Sequence, residues 1–253
     1  MSKSIKIDNN IQIALIGNPS TGKSFSLRNL NPEETFIISP NKKSLPFKNG
    51  SKNYKFLSAK NPKGNRGFCN QLTTIKDRTG SIISKGLFEW IEYINTKRPE
   101  ITTLVIEDIT HFFHARTQSS SFRQSKDWGK WGDFGADVFN AIINPDLYRD
   151  GLAIVHIYHA EIVDRNGAQI SKIMTEGQVL DRKILPSSYY TYSLHTAVKN
   201  VEDVDDPEDR FVFITNNDGE HDCKTSYGLF DLEIPNDIKF VIDKIVEFEY
   251  GQQ

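Results

Sequence analysis

The sequence predicts an α/β fold in which helices flank a mostly parallel central sheet. Along the 253 residues, apolar β-branched runs alternate with helical patterns, which is typical of parallel strands joined by helical connections. A glycine-rich loop stands directly between the first apolar run and a helical pattern. The last third is rich in strands joined by short turns, such as the one at residues 217–219. We interpret it as a β extension of the same sheet.

Six runs are predicted as strands because they are short, apolar and rich in β-branched or aromatic residues. They are residues 11–16, 35–39, 103–106, 152–158, 189–198 and 210–217. Four segments carry apolar residues three or four positions apart, which is the spacing of an amphipathic helix. They are residues 23–30, 82–97, 131–144 and 236–247, the last of which follows Pro235.

Two segments are predicted to be irregular. Residues 41–79 are rich in Lys, Asn, Gly and Pro, and indicate a long excursion after the second strand. Residues 114–130 are rich in Ser, Gln and Arg and follow the third strand, so we expect a mobile loop at the edge of the site. Because no linker is visible, we expect one domain over residues 1–253, with a core at about 11–160 and the β extension at about 161–250.

The composition excludes several classes of protein. The chain is 38% hydrophobic and 25% charged with a formal net charge of −2, so a permanently basic nucleic-acid coat is not expected. No apolar run approaches the ~20 residues of a membrane span, and the polar N-terminus lacks the apolar core of a signal peptide. Cys69 and Cys223 lack CxxC spacing and indicate free thiols. We expect a cytoplasmic protein without a membrane partner.

Residues 17–24 read GNPSTGKS and match the GxxxxGK[ST] phosphate-loop pattern in full. Glycines allow a tight turn whose N–H groups converge on phosphate oxygens, and the following helix adds the positive end of its dipole. The lysine supplies a positive charge to the outer phosphates and the serine hydroxyl ligates Mg²⁺. The sequence therefore predicts a nucleoside triphosphate and Mg²⁺ as cofactors, and the family resemblance described below implies that the nucleotide is ATP. The predicted contacts are Gly17, Asn18, Pro19, Ser20, Thr21, Gly22, Lys23, Ser24 and Phe25.

A second element is an apolar strand that ends in two acids. The stretch TTLVIEDITHFF places Glu107 and Asp108 directly after the strand at residues 103–106. We predict that both serve the metal together with Ser24. Strand length favours Glu107 on the magnesium side with Asp108 orienting the attacking water, and the reverse assignment stays open.

The strand at residues 152–158 is followed by His159, which we predict to contact the γ-phosphate, with Glu161 near it. The alternative is that His159 is a structural residue, since a histidine at a strand end is often only a satisfied surface or core group. His156 and His195 lie inside strand patterns, and we interpret them as structural.

These motifs resemble phage-encoded P-loop ATPases of the RecA-like, AAA-type class, which include phage single-strand annealing ATPases. The resembling stretches run from about residue 11 to about residue 250. Besides the phosphate loop they are EETFIISPNKKSLPF, LVIEDITHFF, KWGDFGADVFNAI, IYHAE, KIMTEGQVLDRKI and the segment from RFVFITNN to DIKFVIDKI. The resemblance implies a RecA-like P-loop NTPase fold, ATP hydrolysis, and a homo-oligomeric ring or filament with the ATP site at the subunit interface.

The resemblance also implies that Lys224 acts on the nucleotide of a neighbouring subunit, with Arg210 and Arg182 as weaker candidates. The sequence departs from the family in having Glu107 where an aspartate is usual, Gln178 for a lysine and Thr225 for a serine. No glutamate ends the strand at residues 35–39, where RecA-like recombinases carry the base that activates water. Either Asp108 does this work or turnover is slow.

The same resemblance implies work on single-stranded DNA with phage replication or recombination proteins as partners. The segment at residues 114–130 carries cations for phosphates and aromatic rings for bases. We predict contacts from Arg116, Arg123, Lys126, Trp128 and Lys130, and Phe122 and Trp131 as further stacking residues. Three alternatives share the phosphate loop: a helicase loader or protein-remodelling ATPase, a nucleotide-bound structural protein with little turnover, and a small-molecule kinase.

Overall fold

The computed structural model describes residues 8–76 and 79–251. Its strands are β1 (Ile11–Gly17), β2 (Thr35–Ser39), β3 (Arg66–Phe68), β4 (Ile75–Lys76), β5 (Ile82–Ser84), β6 (Thr103–Ile106), β7 (Ala153–Arg165), β8 (Ala168–Ile173), β9 (Tyr192–Val198), β10 (Phe211–Ile214) and β11 (Glu233–Pro235). Its α-helices are α1 (Gly50–Asn53), α2 (Leu87–Lys97), α3 (Ile109–Thr117), α4 (Ser120–Gln124), α5 (Lys130–Val138) and α6 (Ile238–Tyr250).

One large sheet organises the molecule, with the strand order β11-β10-β9-β1-β7-β6-β2-β3. Every neighbouring pair from β9 to β3 is parallel, whereas β10 and β11 are antiparallel additions at the C-terminal end of the chain. β8 forms an antiparallel hairpin with the outer half of β7, and β4 pairs with β5 separately. The predicted α/β fold class with its C-terminal β extension is confirmed.

Two apolar cores lie on opposite faces of the sheet because successive side chains of a strand alternate between faces. In β1, Ala14 and Ile16 join a core that includes buried residues of α2, α3 and α5. Ile13 and Leu15 join the opposite core, which includes buried residues of α6 and Leu27 after the phosphate loop. Burial on both faces explains why β1, β2 and β6 are almost continuously apolar.

Two predicted helices are shorter than expected. The helix predicted at residues 23–30 is a 3₁₀ helix over Phe25–Asn29, which ends at Leu30 in an extended conformation. The helix predicted at residues 82–97 starts only at Leu87, after Gly86 in an extended conformation. The preceding Ile82–Ser84 is a strand, consistent with its β-branched composition.

The prediction of a mobile loop at residues 114–130 was wrong, because most of this segment is helical. It contains the end of α3 and all of α4, whose first turn is capped by the Ser119 hydroxyl accepting from the Phe122 N–H. The Phe122 ring is buried against Trp131 and Phe134, with centroids 5.0 and 6.1 Å apart. This aromatic packing holds the polar segment on the core. The helix predicted at residues 131–144 is α5 followed by one π-helical turn at Phe139–Ile143.

The long irregular segment predicted at residues 41–79 returns to the sheet and supplies β3, the edge strand of that sheet. Residues 77–78 of this segment lie outside the described residues. Within the described ranges, no helix combines the length and apolar character needed to cross a lipid bilayer.

Candidate nucleotide-binding site

The parallel strands β1, β2 and β6 end at the same edge of the sheet, and β7 continues past them to Arg165. The residues that follow the first three strands face one cleft of about 630 Å³, whose wall also contains residues 157–159 of β7 and side chains of β3 and β10. Ligand sites of open α/β sheets lie at this edge, because the loops at the carboxyl ends of the strands converge there.

The phosphate loop has the backbone conformation that its glycine pattern predicts. Ser20 and Gly22 both have positive φ, at 66° and 96°. A Cβ at Gly22 would lie 2.9 Å from a ring carbon of Phe211, so both the conformation and the space require glycine. Gly17 is equally restricted, because a Cβ there would overlap the Thr196 hydroxyl of β9. The loop is thus held closely against β9 and β10.

Lys23 folds back over the inside of the loop. Its Nζ donates to the carbonyls of Gly17 and Asn18, both at 2.6 Å. Burial lowers the pKa of Lys23 to about 8, although the nearby Asp108 carboxylate acts in the opposite direction. The ammonium group is therefore held at the base of the cleft with little water around it.

Ser24 and Glu107 meet across the cleft floor. The Ser24 hydroxyl donates to Glu107 Oε1 at 3.1 Å, which brings together one hydroxyl and one carboxylate oxygen. Such oxygens suit Mg²⁺, which binds proteins through one or two of them and completes its shell with waters and phosphates. Within the described ranges, no cluster of three or more His, Cys, Asp or Glu residues forms a self-sufficient metal cage. The donors present therefore fit Mg²⁺ held jointly with a nucleotide.

Arg66 and Ser39 hold the other oxygen of Glu107, and sequence reasoning missed both residues. Arg66 Nη2 lies 3.1 Å from Glu107 Oε2, and the Ser39 hydroxyl donates to the same oxygen. Arg66 also donates to Ser39 Oγ at 2.9 Å and to the Lys43 carbonyl at 2.8 Å, with the Phe56 ring 4.7 Å away. The arginine is only 3% exposed. Ser39 could have been found as the last residue of a predicted strand, whereas Arg66 lies in a segment without a recognisable pattern.

Asp108 and His159 form a second polar pair. Asp108 has φ 53° and ψ 54°, a left-handed conformation that turns its side chain into the cleft. The Asp108 Oδ1 atom lies 3.2 Å from His159 Nε2, but these two atoms are not aligned for a hydrogen bond. This buried oxygen accepts no hydrogen bond from the described part of the chain. Burial alone would raise the pKa of Asp108, yet pairing with His159 and the charge of His111 outweigh it and lower that pKa.

Most predicted site residues line this cleft. They are Pro19, Ser20, Gly22, Lys23, Ser24, Phe25, Glu107, Asp108 and His159. Asn18 and Thr21 line an adjacent depression on the β9 side. Glu161 is turned away from the cleft and pairs with Lys172 at 3.1 Å. Lys224 is exposed beside β9, where its backbone bonds to Ser193, and it does not line the cleft of its own subunit.

The two histidines interpreted as structural are both buried. His156 Nε2 lies 2.9 Å from the Tyr148 hydroxyl, and burial lowers its pKa to about 3. His195 Nε2 lies 2.9 Å from Ser171 Oγ, and its pKa is lowered to about 4 by burial and by the neighbouring His221. Both imidazoles are therefore neutral at physiological pH.

The predicted nucleic-acid contacts differ in availability. Arg116 is 3.0 Å from Asp137, and Lys130 donates to the carbonyls of Phe122 and Ser125 at 3.1 and 2.8 Å. These two cations hold the helical segment together. The side chains of Arg123, Lys126 and Trp128 are exposed, and Trp128 has 84% of its surface accessible.

Comparisons with known proteins add little to this geometry. No protein-family model matches the sequence, and no curated protein matches it. Among solved structures, the chain is similar to the flagellar accessory protein FlaH from Methanocaldococcus jannaschii, at 12% sequence identity and a TM-score of 0.39. The similarity covers 92% of this chain and 86% of FlaH. At this level of similarity we derive no function from it.

Proposed function

We propose that this protein binds ATP with Mg²⁺ in the cleft and hydrolyses it. The observation that supports this best is the meeting of Lys23, Ser24 and Glu107 at the end of a strand–loop–helix unit with the full phosphate-loop pattern. The Lys23 ammonium and the loop N–H groups would hold the phosphates. Ser24 and Glu107 would hold Mg²⁺, which supplies charge neutralisation for the transferring phosphoryl group.

Asp108 is the candidate for orienting the attacking water. Its left-handed backbone directs the carboxylate into the cleft, and its Oδ1 is buried with no aligned donor among the described residues. His159 lies beside it and is the candidate for contact with the γ-phosphate. This geometry favours Glu107 over Asp108 on the magnesium side, because Glu107 is the acid that contacts Ser24.

We further propose that the ATPase acts in phage DNA metabolism, on single-stranded DNA, as a homo-oligomer. Support comes from the resemblance of the motifs to phage RecA-like ATPases and from the exposed Arg123, Lys126 and Trp128. Lys224 is exposed and does not line its own cleft, which is compatible with action on a neighbouring subunit.

The test is ATP hydrolysis by purified protein with and without single-stranded DNA, beside Lys23→Ala. We expect turnover that DNA stimulates and that the variant lacks. Phosphate transfer to a nucleoside in place of water would contradict the proposal and indicate a kinase. A molar mass that stays monomeric with an ATP analogue bound would remove the role of Lys224.

A second candidate function is nucleotide binding with little turnover. It is favoured by the closeness of Asp108 to His159, since an imidazole nitrogen 3.2 Å from the carboxylate leaves less room for a water there. His159→Ala distinguishes the two: faster hydrolysis supports the slow, nucleotide-holding protein, and slower hydrolysis supports a catalytic role of His159.

A further inference from the structure

The charges of the chain are distributed very unevenly. Residues 36–76 contain nine of the 31 Lys and Arg residues, whereas all 33 Asp and Glu residues lie elsewhere. The nine are Lys42, Lys43, Lys48, Lys52, Lys55, Lys60, Lys63, Arg66 and Lys76. A net charge of −2 therefore conceals a strongly basic segment attached to an acidic remainder.

The seven lysines between residues 42 and 63 are all exposed. Within the described ranges, none of them forms an ion pair. A lysine within an edge strand often protects it from further pairing, but none of these seven lysines lies within β3 itself. Seven uncompensated cations repel one another, which indicates a polyanionic partner.

Five of these lysines lie in the segments beside the edge strand β3, and we call this surface the basic edge. It comprises Lys42, Lys43, Lys52, Lys55 and Lys63. At one end, the Lys43 carbonyl accepts from Arg66, and Lys42 Nζ lies 5.2 Å from the centre of the Phe68 ring.

At the other end of the basic edge, Lys52, Lys55 and Lys63 line one depression. The carbonyl of Lys55 accepts from the N–H groups of Asn65 and Arg66, at 3.1 and 3.2 Å, which fixes this end beside the start of β3. Two acids, Glu33 and Glu100, line the same depression, and Glu100 is already paired with Arg98.

We infer that the basic edge binds the backbone of single-stranded nucleic acid. Phe68, the last residue of β3, is 37% exposed and lies next to Lys42. Its ring offers a surface on which a base can stack beside a cation. An acidic protein would need no such ring. The acidic remainder of the chain repels phosphates, so we expect the strongest binding at this edge.

The basic edge also touches the nucleotide cleft, so the inference rests in part on the proposed ATPase function. Lys43 lines the cleft, and its carbonyl holds Arg66, whose guanidinium pairs with Glu107. A nucleic-acid strand bound along the basic edge would contact the segment around Lys43, whose carbonyl holds Arg66 and so helps to position Glu107. DNA stimulation of hydrolysis would then act through residues 41–46 and Arg66.

The test is fluorescence anisotropy of a labelled 30-nucleotide oligo(dT) with the full chain in the absence of ATP. We expect the affinity of the wild type to fall with salt at a log–log slope of roughly −3.5, as about five phosphate contacts require. Replacing the five lysines of the basic edge by glutamine should weaken binding roughly 100-fold. The matched control exchanges five lysines elsewhere and should weaken binding less than about threefold: Lys97→Gln, Lys183→Gln, Lys199→Gln, Lys239→Gln and Lys244→Gln.

Three further variants test where the nucleic acid binds. Phe68→Ala should lower the affinity for oligo(dT) about fivefold. Phe68→Leu keeps the apolar bulk but should lower the affinity by the same factor, because base stacking needs the ring itself. Combined Arg123→Gln, Lys126→Gln and Trp128→Ala should weaken oligo(dT) binding less than the exchange of the five lysines of the basic edge does.

Several results would overturn the inference. An equal loss of oligo(dT) affinity in the basic-edge and control variants would show only a general effect of net charge. A loss of affinity confined to the Arg123, Lys126 and Trp128 variant would place the interface at those residues instead. Displacement of oligo(dT) by poly-L-glutamate at equal charge concentration would indicate an acidic protein partner. ATP binding is measured on the same samples, so failure of the basic edge with intact ATP binding leaves the proposed ATPase function standing.

Discussion

At the scale of single residues, the Arg66–Glu107 pair links stability to the candidate metal site. Both side chains are buried, and Ser39, Ser24 and the Lys43 carbonyl satisfy their remaining polar atoms. Removing one partner of a buried pair leaves an uncompensated charge, whereas replacing both by apolar residues is often tolerated.

We therefore predict that Arg66→Met and Glu107→Leu each lower the free energy of unfolding by about 3–5 kcal/mol. The double variant should be more stable than either single variant, yet should lose the Mg²⁺ dependence of ATP binding. Denaturant unfolding of the four proteins measures the coupling. Additive losses in the double variant would show that the two side chains do not interact.

At the scale of elements, α6 is joined to the segment that follows the phosphate loop. The Asp237 carboxylate caps α6 by accepting from the N–H groups of Lys239 and Phe240, at 2.9 and 3.4 Å. The same carboxylate accepts from Asn29 Nδ2 at 2.7 Å. The start of α6 is thus tied to the short helix after the loop.

Asp237→Ala should lower the free energy of unfolding by about 1–2 kcal/mol through loss of the cap. Asp243→Ala is the matched control on the same helix, because Asp243 makes only an exposed pair with Lys239, and should cost less than about 0.5 kcal/mol. Chemical denaturation provides both values. Similar losses in the two variants would argue against a capping role.

Elements were predictable where their own residues determine them. β1, β2 and β6 are short, apolar and buried on both faces, so composition alone identifies them. β3 has only three residues in a lysine- and asparagine-rich segment, and its pairing with β2 decides its structure. α4 was missed because the packing of Phe122 against Trp131, and not helix propensity, stabilises a Ser-rich stretch.

The candidate site also contains residues that the sequence identifies and residues that only the fold brings together. Lys23, Ser24 and Glu107 were predictable because a motif and a strand end identify them. Arg66 was not, since its partner lies 41 positions away and only the sheet brings them together. The distribution of charge along residues 36–76 was visible in the sequence, but the near-neutral total concealed it.

At the scale of the whole molecule, two buried histidines make the stability depend on pH. The pKa of His156 is lowered to about 3 and that of His195 to about 4, mainly by burial. Each imidazole stays neutral in the folded chain but takes up a proton in the unfolded chain below pH ~6.5. The stability that depends on neutral histidine is therefore complete above that pH and is lost as the pH falls towards the folded-state values.

We predict that the free energy of unfolding falls between pH 6.0 and 5.0, with up to about 1.4 kcal/mol per pH unit from each histidine. His156→Leu should lower the absolute stability at pH 7, yet should reduce this slope by about 1 kcal/mol per pH unit. Urea unfolding at a series of pH values tests this. An unchanged slope in the variant would contradict a neutral, buried His156.

The central claim is that the cleft binds ATP with Mg²⁺ through the phosphate loop. The most direct measurement is equilibrium binding of a fluorescent ATP analogue to the wild type and to Lys23→Ala, each in excess Mg²⁺ and in EDTA. We predict that the wild type binds at least about tenfold more tightly with Mg²⁺, and that Lys23→Ala binds roughly 100-fold more weakly while its unfolding temperature is maintained. Equal affinity of the two proteins, or binding unaffected by Mg²⁺, would contradict the account.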